Sequence, residues 1–258
     1  MKISKSLECQ VAYFAINQEG SMLKELINQG HIVASYEKQF IVIYKESEII
    51  KVAPVSNIPL TMDGHAKFMI QNVLAAVLAG YLSGLSLEGI RKSLKTFIPS
   101  PQLTPGRMNI FKFINFKIMI DFAHNPAGYI AIKDYLSTVV ASKKIGIISG
   151  VGDRRDEDIQ ACGKIAAEMF DYIIIRQERH LRGRTEKEII DLLVKGIHLV
   201  SKVFPYEIIS KETEAIEHTI AMAKKDDFVV ALSDLVSNAI EVVQQHLDKE
   251  NKTEKVDK

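Results

Sequence analysis

From about residue 116 onward, short runs that are apolar at nearly every position alternate with segments whose apolar residues recur at three- and four-residue spacing. Runs such as Lys144–Ser149 (KIGIIS) and Tyr172–Ile175 (YIII) are apolar on both faces. Strands of that kind belong to a sheet covered by helices on both sides. The pattern predicts strands over Phe116–Phe122, Lys144–Ser149, Tyr172–Ile175, Tyr206–Ile209 and Asp227–Leu232. Helices are predicted between and after them, over Pro126–Thr138, Arg155–Phe170, Thr185–Gly196, Glu212–Lys225 and Leu235–Leu247. Repeated strand–helix units imply right-handed crossovers and an α/β fold with a doubly wound, mostly parallel, Rossmann-like sheet. Ligands of such sheets sit at the carboxyl ends of the strands.

Upstream the pattern is different. Ser21–Asn28 reads as a short helix stopping near Gly30, and His31–Tyr36, Gln39–Tyr44 and Glu48–Val52 read as brief strands of a small antiparallel meander. Residues 65–83 form a strong helix with Phe68, Met69, Asn72, Leu74, Ala75, Val77, Leu78 and Tyr81 on one broad face. A second helix over Ser86–Thr96 is capped by Ser86. Pro99, Pro101 and Pro105 then interrupt helix and strand alike, which places a domain boundary near residue 103. The last residues, Asp248–Lys258, are so charged that they read as a solvated tail.

Composition narrows the classes. Lys plus Arg is 33 and Asp plus Glu 32, so the chain carries no electrostatic footprint for nucleic acid or for an anionic membrane surface. No apolar stretch is long enough to cross a membrane and Met1–Gln10 has no signal-peptide core, so the expectation is a cytoplasmic protein. The two cysteines, Cys9 and Cys162, lie far apart in sequence, which disfavours a disulfide scaffold or zinc site and fits a reducing compartment. Cys162 falls on the apolar side of a helical pattern and reads as a buried thiol.

Four constellations fall where a ligand of the sheet would sit. The first is Asp121-Phe122-Ala123-His124-Asn125-Pro126, at a strand end and helix start. Asp121 is expected to point out of the sheet edge, where a carboxylate can take a ribose diol or a metal-bound water. Asn125 can cap the next helix with Pro126 at its first position, and this segment could equally be no more than a helix start with a packed His124. The second is Pro105-Gly106-Arg107, where the Arg fork suits paired phosphate oxygens or is a plain surface cation. The third is Ser149-Gly150-Val151-Gly152-Asp153-Arg154-Arg155, a glycine turn able to bind an anion through backbone N–H groups; the acids that follow also suit a helix N-terminus. It matches neither the dinucleotide fingerprint nor a Walker loop. The fourth is Arg182-Gly183-Arg184, two cations able to receive a carboxylate, or a solvated loop.

In this order and spacing, the segments GHAKFMIQNVLAA, TPGRMN, DFAHNP, GDRRDEDI, IAAEMFDYIIIR and LRGR resemble the Mur ligase family, and within it the C-terminal half of the cyanophycin synthetases. The resemblance covers roughly residues 30–245, with GDRRDEDI and LRGR setting the cyanophycin synthetase type apart from the cell-wall ligases. It implies residues 1–103 as a partial ATP-binding central domain and 104–247 as the C-terminal domain.

The resemblance also implies an ATP-dependent ligase that phosphorylates a carboxylate to an acyl phosphate, which an amine then attacks to give an amide. ATP and Mg²⁺ are the implied cofactors, with the metal ligands expected mainly upstream of this sequence and none assigned within it. Asn72 matches the Asn near the adenine, Arg107 the hinge Arg on the phosphates, and Asp121 the carboxylate on the ribose. His124 and Asn125 complete the nucleotide motif; Arg107, Asp121 and His124 are the candidate catalytic residues. Gly152, Asp153, Arg154 and Arg182 would hold the incoming amino acid, which the resemblance makes arginine, added to the side-chain carboxylate of a poly-aspartate polymer.

One departure stands out. No G-x-x-G-K-[ST] loop occurs, and the only Gly-Lys pair is Gly163-Lys164, inside a predicted helix. The chain is therefore expected to be inactive alone, as the C-terminal piece of a longer or split ligase whose upstream half lies on another chain or was lost by truncation, or to be a non-catalytic nucleotide- or partner-binding remnant. A homo-oligomer is compatible with either.

Overall fold

The computed structural model describes residues 8–16 and 21–256. The N-terminal part of the signal-peptide reading and the last two residues of the tail lie outside that range. The chain divides into two compact units, Met1–Ile98 and Pro99–Lys258. The division falls within the proline-rich stretch, where Ser100 to Thr104 fold as turns toward Gly106: the Thr104 N–H donates to the Ser100 carbonyl at 2.8 Å and the Arg107 N–H to the Thr104 carbonyl at 3.1 Å.

The first unit holds β1 (Tyr13–Ala15), α1 (Ser21–Asn28), β2 (Val33–Glu37), β3 (Phe40–Lys45), β4 (Glu48–Pro54), α2 (Lys67–Leu82) and α3 (Leu87–Thr96), with two single 3₁₀ turns between β4 and α2. Its sheet runs in the order β1-β2-β3-β4. The meander is extended by β1, which pairs parallel to β2 and was too short to register as a periodic run. The β2–β3 turn puts Lys38 and Gln39 both at positive φ, the twist that a two-residue hairpin demands. The α2 helix buries Ile70, Val73, Leu74, Val77 and Leu78 against Ile41, Ile43 and Val52 of the sheet. Ser86 caps α3, its hydroxyl accepting from the Gly89 N–H at 3.1 Å.

The second unit carries β5 (Asn109–Lys112), β6 (Lys117–Asp121), α4 (Pro126–Leu136), β7 (Lys144–Ile148), α5 (Asp156–Met169), β8 (Tyr172–Ile175), α6 (Glu186–His198), β9 (Tyr206–Ile208), α7 (Glu212–Met222), β10 (Phe228–Leu232) and α8 (Val236–Val256). The sheet order is β5-β6-β10-β7-β8-β9. All neighbours are parallel except β5, an antiparallel edge strand that the sequence pattern did not reveal. Helices α4, α5 and α6 pack on one another, and α7 packs with α8. The chain steps from β6 over the position of β10 to β7, proceeds outward to β9, and returns through α7 to fill the gap with β10. Strand order thus reverses around β10, and at such a reversal open α/β sheets bind ligands beyond the carboxyl ends of their strands.

The stretch read as a charged tail is helical over its described part. The α8 helix continues through it to Val256. The Glu250 carboxylate accepts a 3.0 Å hydrogen bond from the Ile114 N–H in the β5–β6 turn, so this polar stretch gains a partner that its own sequence did not announce.

Candidate functional site

At the end of β6, Asp121 does not point out of the sheet edge as its position suggested. It is 5% exposed, and its carboxylate turns inward. Oδ2 accepts from the Met108 N–H at 3.0 Å and Oδ1 from the Ala123 N–H at 2.8 Å. Two buried backbone donors need acceptors here, and the carboxylate is the group within reach. Burial pushes the Asp121 carboxyl above its ordinary range, while those two amides and the Arg107 guanidinium oppose the shift.

The turn that Asp121 holds is the one carrying Arg107. Gly106 has φ +66 and a Cβ there would fall 2.5 Å from Val236, so only glycine fits. Asn109, itself buried, accepts from the Gly106 N–H at 2.7 Å and donates to the Thr104 carbonyl at 3.0 Å. The Arg107 guanidinium lies 5.2 Å from the centre of the Phe122 ring and is exposed. The His124 ring meets the same Phe122 edge-on at 4.9 Å, and its Nδ1 sits 3.0 Å from the Phe122 carbonyl. Asn125 caps α4, accepting from the Gly128 N–H at 2.8 Å, with Pro126 at the first position.

The loops after β7 and β8 are tied together. The Gly152 N–H donates to the His180 carbonyl at 2.8 Å. Arg184 donates to the carbonyls of Gly152 at 2.8 Å and Arg154 at 3.0 Å, and pairs with Asp156 at 2.6 Å. Arg184 is therefore a strut of the loop rather than one of two free cations. Arg182 pairs with Asp153 at 3.2 Å, both about half exposed. Gln177 clasps the base of the loops, accepting from the Gly150 N–H at 2.9 Å and donating to the carbonyls of Gly150 and Arg179 at 3.1 and 2.8 Å. Gly152, Asp153, Arg154 and Arg182 thus come together, and a small pocket lined by His124, Ser149, Gly150, Arg154, Asp158 and Cys162 joins them to the segment after β6. Burial and the Asp158 charge push the Cys162 thiol up to about 12. Asn72 lies on α2 of the other unit, at an apolar cavity of about 360 Å³ lined also by Val73, Ala76, Val77 and Leu94.

A polar cluster at the same edge escaped sequence reasoning. Arg176 follows β8 directly and is 1% exposed. Its guanidinium pairs with Asp234, donates to the Leu232 carbonyl at 3.2 Å and lies 3.8 Å from Glu212. His180 Nε2 is 2.8 Å from Asp234 Oδ2. Glu212 is buried, which raises its carboxyl pKa against the opposing charge of Arg176. A charged residue closing the run YIII was the available signal, whereas Glu212 and Asp234 stand at or just before helix starts, where acids are common. Among the described residues, no cluster of three or more His, Cys, Asp or Glu is arranged to hold a metal ion.

A profile of the Mur ligase glutamate ligase domain matches residues 106–235. The chain belongs to the Mur ligase family. A cyanophycin synthetase of Nostoc sp. strain PCC 7120 is 40% identical over 242 residues, which is 94% of this chain and 27% of that protein. One from Trichormus variabilis is 39% identical over the same extent. The chain thus corresponds to roughly a quarter of these Mur ligase relatives' length. Among solved structures, the E. coli FolC in complex with DHPP and ADP superposes with TM-score 0.61 at 19% identity, covering 83% of this chain and 46% of that one. That likeness concerns the fold of the Mur ligase C-terminal domain. Among the described residues, no helix is long and apolar enough to cross a membrane.

Proposed function

We propose that this chain is part of an ATP-dependent carboxylate–amine ligase of the cyanophycin synthetase type, joining the amino group of arginine to the side-chain carboxylate of a polymer-borne aspartate. The observation that carries the reading is the union of the Gly152–Arg154 and Arg182 loops with His124 at the reversal point of the sheet. That edge is where an α/β sheet binds small ligands. Identity of about 40% to cyanophycin synthetases supports the substrate class.

In this reading ATP phosphorylates the aspartate carboxylate. The arginine amine then attacks the acyl carbon, the C–N bond forms and phosphate departs. Arg107, stacked on Phe122, is a cation for the phosphates, and Asn72 faces the base. Asp121 serves by fixing the Arg107 turn, since both of its oxygens are engaged by backbone amides. Gly152, Asp153, Arg154 and Arg182 receive the amino acid. A Mg²⁺ ion would supply charge neutralisation on the phosphates, with its ligands expected mainly on a segment upstream of this sequence. Because the sequence holds no G-x-x-G-K-[ST] loop, a segment bearing one is required for turnover.

The test is ATP-dependent incorporation of labelled arginine into a poly-aspartate-type primer, by the chain alone and with a segment that supplies the phosphate-binding loop. Incorporation only on mixing is the expected result. No incorporation in either case would favour a nucleotide- or partner-binding role instead.

A further inference from the structure

Aminolysis of an acyl phosphate needs a neutral amine, yet an amino acid's amine is largely protonated near neutral pH. Of the groups placed at the site above, the Asp153 carboxylate is engaged by Arg182 at 3.2 Å and the His124 Nδ1 lies 3.0 Å from the Phe122 carbonyl. We propose that His180 is the general base that deprotonates the incoming amine, with Asp234 as its positioning residue; this rests on the ligase reading above.

The geometry is that of a base with an orienting carboxylate. Asp234 Oδ2 lies 2.8 Å from His180 Nε2. A carboxylate only accepts, so in the neutral ring Nε2 carries the hydrogen and Nδ1 the lone pair. Asp234 is itself fixed from behind by the buried Arg176, so the imidazole is braced from the sheet while its side chain keeps 35% of its surface open. His180 adopts φ +57, an uncommon conformation for a side-chain-bearing residue, and it is locked there because its carbonyl accepts from the Gly152 N–H at 2.8 Å. The same bond ties it to the loop carrying Asp153 and Arg154, and Arg182 is two residues on. The base is thus built into the loops assigned to the amino acid.

His180 Nδ1 takes one proton from the ammonium, and the freed lone pair attacks the acyl carbon. The C–N bond forms, the C–O bond to phosphate breaks, and phosphate leaves with that electron pair and takes the second nitrogen-bound proton. His180 then returns its proton to water.

The experiment uses the full chain with the phosphate-loop segment, ATP, a poly-aspartate-type primer, and either arginine or hydroxylamine as nucleophile. Hydroxylamine is already neutral near pH 7 and traps acyl phosphates as hydroxamates without a base. His180→Asn is the chosen variant because asparagine tolerates the left-handed backbone. The expected result is a fall in kcat with arginine of about 10²–10⁴-fold, the range of general-base catalysis. That fall shrinks as pH rises, and hydroxamate formation stays near the wild-type rate. Asp234→Asn shifts the arginine reaction in the same direction while leaving hydroxamate formation intact. Full arginine activity in His180→Asn, or equal loss with both nucleophiles, overturns the assignment. Absence of hydroxamate from the wild-type protein overturns the ligase reading itself, and the assignment with it.

Discussion

The backbone N–H of Gly152 donates to the His180 carbonyl at 2.8 Å, and a Cβ placed on Gly152 would lie 1.9 Å from the Leu181 carbonyl oxygen. The two loops that form one wall of the candidate site therefore touch through backbone, where no side chain can move aside. Gly152→Ala is expected to force them apart and to lower stability by about 1–3 kcal/mol, the usual cost of overpacking. Urea denaturation measures the loss, and hydrogen exchange localises the opening to residues 150–155 and 178–184.

Arg176 is a charge kept from water by Asp234 and Glu212. Arg176→Met removes one charge and leaves two carboxylates facing each other in a buried setting. The expected cost is about 3–5 kcal/mol, as when one partner of a buried pair is removed. The double variant Arg176→Met with Glu212→Gln should recover part of it in a double-mutant cycle. Absence of any coupling between the two would show that their charges do not interact.

Asp121 and Glu212 both have folded-state pKa values raised by burial. In the window between each group's ordinary value and its raised value, the folded state binds more protons than the unfolded state. Stability contributed by these groups therefore falls as pH rises through that window and is regained on acidification. Asp121→Asn should remove its share of this slope. Urea midpoints of wild type and variant across the acidic range test this, the wild type gaining relative to the variant as pH falls.

Cys162 is buried with its thiol pushed up to about 12, whereas Cys9 is exposed. The thiolate is the reactive species. A disulfide reagent at neutral pH should titrate one thiol quickly in the folded protein and the second only on unfolding. Rapid reaction of both would show that the pocket beside His124 opens readily.

Much of the fold was legible because it rests on local signals. The span of α1 and the start of α6 behind its Thr185 capping box are set within one turn of chain. The runs IGIIS and YIII announce buried parallel strands because both their faces must be apolar. Three elements were not legible. The strands β1 and β5 are too short to show a period and exist only because β2 and β6 offer them partners. The last turns of α8 look like solvated tail until Glu250 meets the Ile114 amide.

The site divides in the same way. The sequence by itself determined which loops carry chemistry, since glycines, an Asn-Pro helix start and clustered arginines at strand ends are local features. Only the tertiary structure decided what each residue is engaged with. Asp121, expected outward, turns in to two amides, and Arg184 becomes a strut. The first and last members of the cluster of Arg176, His180, Glu212 and Asp234 lie 58 residues apart in sequence. They meet because β10 returns late in the chain to lie between β6 and β7. Pairing between distant charges leaves no periodic trace in a sequence, because its physical cause is the loss of water around groups that the fold alone brings together.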